Sequence, residues 1–153
     1  MRSSPHEARR VHPSQSSSKE PTTESESHVP TAAKTTTPVK MDMPLAEDRA
    51  CDLADITVSF TTIKLDHDLA PMLANLPTGR CECPHWGFLF KGEMTVRYPD
   101  TGVEETVHAG DAFYMTPGHA PAATAGTELV MFSPADLMAE TEAAIMKAMS
   151  AQH

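Results

Sequence analysis

At 153 residues and a formal charge of −9, the chain suits one domain and is a poor partner for nucleic acid, whose phosphates require basic surface. No apolar run approaches the length of a membrane span, and no signal-type apolar segment follows the N-terminus. Three cysteines, an odd number, argue against a disulfide framework, so the cytoplasm is the expected compartment.

Residues 1–45 are rich in Ser, Thr, Pro, Glu and Lys and predict a disordered extension, because too few large apolar side chains are present to offset the entropy of ordering. Residues 1–40 hold six Lys or Arg against four Glu, a charge of +2, which leaves −11 on the remainder. The Arg- and Ser-containing start has some transit-peptide character, but its glutamates and lack of amphipathic period argue against one. Met41 or Met43 offers a blander alternative as the natural start. The remainder divides into a β-barrel over 46–133 and a helix over 134–150.

Strand signals begin near residue 55. Ile56, Val58 and Phe60 alternate with Thr57 and Ser59, the period of a half-buried strand. Asp66-His67-Asp68 is suited to cap a short helix over Leu69 to Leu76, with Pro71 in its first turn and Pro77 and Gly79 ending it. Trp86 to Lys91 is an aromatic-rich strand, Gly92 breaks it, and Met94 to Tyr98 alternates again. Pro99-Asp100-Thr101-Gly102 has turn chemistry and leads into Val103–His108. Ala109-Gly110-Asp111 is a further turn, Ala112–Met115 a strand, and Thr116-Pro117-Gly118 another turn. A last strand covers Thr127–Phe132. Short strands with close-set turns predict an antiparallel sandwich or barrel. The closing helix has Ser133 as N-cap, Pro134 at its first position and Asp136 as acidic cap. Its apolar stripe runs through Leu137, Met138, Thr141, Ile145, Ala148 and Met149, which predicts packing on the barrel or across a dimer seam.

The chemistry concentrates in Cys81-Glu82-Cys83-Pro84-His85 and, about thirty residues later, Pro117-Gly118-His119. Cys81, Cys83 and His85 share one face if the segment is extended, and a later turn brings in His119. Soft and borderline donors converging in this way predict a transition-metal pocket. In a straight strand the Cα atoms of Cys81 and His85 stand about 13 Å apart at roughly 3.3 Å per residue. Reaches of about 5 Å for Cys and about 6.5 Å for His fall short of that span, so sharing an ion requires a bend. Pro84 is suited to supply it. Two further readings stay open: a metal-free thiol pair at Cys81 and Cys83, and a plain structural core. Two thiolates with imidazoles favour zinc, with iron or copper as alternatives. Four protein ligands close the shell around a structural ion, whereas three leave a position for water and catalysis.

Gly92 after an aromatic strand, followed by Gly110-Asp111-Ala112-Phe113-Tyr114-Met115-Thr116-Pro117-Gly118-His119, resembles the two characteristic motifs of the cupins. The likeness covers residues 55–133, and small single-domain bacterial cupins with Cys-x-Cys-Pro-His-Trp-Gly are the nearest group. It implies an all-β antiparallel jelly-roll barrel, commonly a homodimer, with a metal inside held by histidines and a carboxylate. Here the family's glutamate position is His85 and its second histidine position is Cys81. The late histidine position falls at Pro121, with His119 two residues earlier. The resemblance therefore implies a changed donor set of Cys81, Cys83, His85 and His119. It implies a small-molecule ligand or substrate, or a metal or redox sensor, without choosing between them.

Weaker candidates complete the reading. Trp86, Phe88 and Phe90 lie on the face opposite the donors and are expected to pack between sheets or on the helix, with a dimer seam second. Tyr114 offers a hydroxyl to the pocket or to a backbone carbonyl. Glu104 and Glu105 belong on a solvated hairpin, His67 and His108 at the surface, and Cys51 at the edge of the disordered extension as a free thiol. Phosphate loops, nucleophile elbows and dinucleotide fingerprints are absent from the sequence.

Overall fold

The computed structural model describes residues 28–151. Among them, ten strands and one long helix follow in chain order. The strands are β1 (Val39–Asp42), β2 (Ala46–Leu53), β3 (Ile56–Ile63), β4 (His67–Asp68), β5 (His85–Lys91), β6 (Glu93–Tyr98), β7 (Val103–His108), β8 (Ala112–Met115), β9 (Ala120–Ala123) and β10 (Glu128–Pro134). The helix α1 is Ala135–Ser150. A six-stranded sheet has the order β1-β2-β3-β10-β5-β8, and a four-stranded sheet has the order β4-β9-β6-β7. Every strand pair is antiparallel, and the two sheets form a cupin-like jelly-roll barrel.

Alternation places one side of each strand in the interior. On β5, His85 and Leu89 are buried while Trp86 and Phe90 are exposed. Leu73 and Leu89 are fully buried, each contributing roughly 1.5–3 kcal/mol by leaving water. Between β5 and β6 the chain turns at Gly92, whose φ of +80° suits glycine. A Cβ there would also collide with Thr127, whose buried hydroxyl accepts from the Glu93 N–H at 3.1 Å.

Several expectations are corrected. Disorder expected up to residue 45 is not found over the described part of that stretch: Thr37 is buried, β1 pairs with β2, and the barrel therefore begins by Val39. The rest of that expectation, residues 1–27, lies outside the described residues. Strand β2 lacked a legible signal because its inward positions are Ala46, Asp48 and Ala50, small or charged rather than large and apolar. Cys51 lies on β2 opposite Val58, not at the edge of a disordered segment. The helix expected over Leu69 to Leu76 is a single 3-10 turn, Ala70–Leu73, with Asp68 accepting from the Ala70 N–H at 2.9 Å.

Helix α1 packs Met138, Thr141 and Ala144 inward, against a cluster that includes Leu73, Cys81 and Ala120. Leu137, expected on this stripe, is exposed. Ser133 does not cap the helix: β10 runs on to Pro134, which takes the N-cap place. Among the described residues no helix is long and apolar enough to cross a membrane.

Candidate metal centre

The centre is built from two chain crossings. Cys81 forms an isolated antiparallel bridge with His119, with the Cys81 N–H donating to the His119 carbonyl at 3.0 Å. His85 opens β5 directly opposite Met115 of β8. Residues 82–84 leave strand geometry between these crossings, and the chain bends as the reach argument required. Cys81 Sγ then lies 3.4 Å from His85 Nε2. One donor atom each from Cys81, His85 and His119 falls within 4.8 Å of the others, and all three residues are buried.

Each imidazole is anchored by its other nitrogen. His85 Nδ1 lies 2.6 Å from Ser133 Oγ, and His119 Nδ1 lies 2.6 Å from the Thr116 carbonyl. A carbonyl only accepts, so His119 carries its proton on Nδ1 and keeps Nε2 free as a donor atom. Metal-binding histidines are commonly oriented by such contacts. Burial, reinforced by neighbouring His119, pushes His85 from its ordinary 6.5 down to about 3. Burial also lowers His119. Both rings are neutral at physiological pH, the form that coordinates a metal. Burial raises the Cys81 thiol, with a partly opposing contact from Thr141 Oγ1 at 3.5 Å. A metal bound there would displace the thiol proton.

Cys83 is the expected donor that is not part of this group, although it packs in the same buried cluster as Cys81. It is buried, yet its Sγ points to the Pro84 carbonyl at 3.6 Å and lies outside the three-residue group. The shared-face argument holds only for extended chain, and residues 82–84 are not in a strand. Burial holds the Cys83 thiol at about 12. All three cysteines are free.

Cys81, His85 and His119 line a cavity of about 330 Å³. Every methionine after Met1 also lines it, so a soft, adaptable apolar wall surrounds the donors. Asp48 and Glu142 add a polar patch to the lining. Asp48 accepts from Thr61 Oγ1 at 2.8 Å, and burial raises its carboxyl above the ordinary range. Glu142 pairs with Lys40 at 2.7 Å, joining α1 to β1.

The remaining candidates fall elsewhere. Tyr114 is half exposed and stacks on Trp86 with ring centroids 4.8 Å apart, so its hydroxyl does not serve the cavity. Trp86 and Phe90 are exposed, which corrects the packing expectation. Glu104 is exposed and pairs with Arg97, while His67, expected at the surface, is half-buried and joins the cavity lining. Sequence reasoning missed Ser133 and Asp48 as site residues. Extending the β10 alternation from Leu129 and Met131 by one step would have turned Ser133 inward.

Neither a family model nor a curated protein matches the chain. Solved structures do. The polyketide cyclase RemF from Streptomyces resistomycificus is 16% identical with a TM-score of 0.51, over 70% of this chain and 80% of that one. The Fe(II) form of HppE is 10% identical with a TM-score of 0.50, over 69% of this chain and 60% of that one. An RmlC-like cupin from Shewanella frigidimarina is 16% identical with a TM-score of 0.47, over 67% of this chain and 88% of that one. At such identities the likeness concerns the fold alone.

Proposed function

We propose that this is a metal-binding protein of cupin fold, holding a divalent transition metal through Cys81, His85 and His119 and offering its open side to a small molecule. The observation that carries the reading is the meeting of three buried donors at the wall of an apolar cavity. Three protein ligands leave a position for water or a ligand, and a bound metal would supply Lewis acidity there. Zinc, the ion expected from the sequence, accepts one thiolate with two imidazoles, and so do iron and copper. The reading draws general support from a fold that the Fe(II) form of HppE shares.

The thiol-pair sensor is less well supported. Buried thiols held in the neutral form are weak nucleophiles, and both Cys81 and Cys83 are raised. The homodimer implied by the cupin resemblance remains part of the proposal, with the aromatic outer face of the six-stranded sheet as its surface.

Elemental analysis of purified full-length protein tests the metal. One ion per chain in the wild type, lost in His119→Ala, is the expected result. Wild-type protein that folds normally and stays metal-free after zinc, iron or copper supplementation refutes it.

A further inference from the structure

A fourth side chain is registered opposite one of the three donors. Met115 is the registered cross-strand partner of His85, and both are buried on the inner side of the sheet. Side chains so paired stand about 4.5–5.5 Å apart at Cβ. The next residue, Thr116, supplies the carbonyl that holds His119. Met115 is thus tied to one histidine by register and to the other through its chain neighbour. It also lines the same cavity as Cys81, His85 and His119.

Two cross-strand pairs therefore converge, Cys81 with His119 and His85 with Met115. The donor types are one thiol, two imidazoles and one thioether. Zinc is served by thiolate, imidazole and carboxylate and gains little from a thioether. Copper is different: thioethers and thiolates select its reduced form, and two His with one Cys and a weak axial Met is a copper ligand set. The thioether-rich wall suits soft coordination, and no carboxylate belongs to the three-residue group.

We propose that the pocket selects copper, with Cys81 Sγ, His85 Nε2 and His119 Nε2 as the strong donors and the Met115 thioether as a longer fourth contact. On binding, the Cys81 thiol gives its proton to solvent and the sulfur–copper bond replaces it. This rests on the three-donor metal reading above and deepens it by naming the ion and by placing a weak thioether contact in the position that reading leaves to water or a ligand.

The test is competition on metal-free full-length protein kept under reductant, with equimolar Cu(I) and Zn(II), followed by X-ray absorption at the copper edge. The expected result is one copper per chain, zinc excluded, and two sulfur distances, the longer of which disappears in Met115→Leu. A Leu for Met exchange conserves volume and keeps the fold, checked by circular dichroism. Cys83→Ala leaves both distances in place. Zinc retained in the competition, or a sulfur count unchanged in Met115→Leu, overturns the copper assignment while leaving the metal centre standing. Binding of neither ion overturns both. Should Met115→Leu misfold, Met115→Gln replaces it, and the wild-type competition still decides the choice of ion.

Discussion

The inner and outer faces of the six-stranded sheet both carry apolar side chains, and they meet different surroundings. On β5, Leu89 is fully buried while Phe90, the next residue, is 52% exposed. On β10, Ser133 is fully buried against His85 while Phe132 is 42% exposed. The inner face looks onto the second sheet and α1, and it carries small, soft and donor side chains around a cavity. Among the described residues no element covers the outer face, and it carries the large aromatics. Hydrophobicity alone does not decide which side is closed; the rest of the chain does.

Substituting neighbours on opposite faces sharpens the contrast. The largest effect is expected on the inner face, where Cys81→Ser or His119→Ala removes a donor and abolishes stoichiometric metal in elemental analysis. Phe132→Ala, on the outer face, leaves the metal content at the wild-type level. Next, Leu89→Ala is expected to cost about 2–5 kcal/mol in urea unfolding, through lost burial and a new cavity. Phe90→Ala costs less than about 1 kcal/mol for the chain alone. Equal losses at the two positions would break the comparison and mean that the outer face is covered.

Acid separates the faces by charge. Unfolded His85 takes up its proton near 6.5 and folded His85 only near 3, so acidification favours the unfolded state. This contribution to stability is fully present above pH 6.5 and is lost as pH falls toward 3, at up to about 1.4 kcal/mol per pH unit. The metal-free protein should therefore show a falling urea midpoint across that window, and a flat midpoint would show a solvated His85. A smaller effect belongs to Ser133→Ala, which releases the ring of His85. It is expected to weaken metal binding about 10- to 100-fold in chelator competition. The smallest effect on chain stability is expected of Trp86→Glu, which should convert a dimer to monomer in sedimentation analysis. An unchanged mass would remove the outer face as the pairing surface.

Much of this was legible in the residues. The alternation of β3 and β5 to β8, and the turns between them, follow from local chemistry. So does the candidate donor set of Cys81, Cys83, His85 and His119, from which Cys81, His85 and His119 bring their donor atoms within 4.8 Å of one another. Strand β2 was hidden because Asp48 sits inward among alanines, and β4 and β9 because two and four residues carry little period. Cys83 appeared equivalent to Cys81 because alternation assumes a regular strand, and residues 82–84 are not in one. Ser133 looked like a helix cap because Ser before Pro serves that role, and only its place beside His85 shows otherwise.

By itself the sequence determined the donor types, the turns and the side of each regular strand on which a residue falls, because these depend on near neighbours and backbone period. The tertiary structure alone decided which side was enclosed, which sulfur met the imidazoles and which serine and methionine stood beside them. Those contacts join segments far apart in the chain, and their distances depend on how the sheets pair and close.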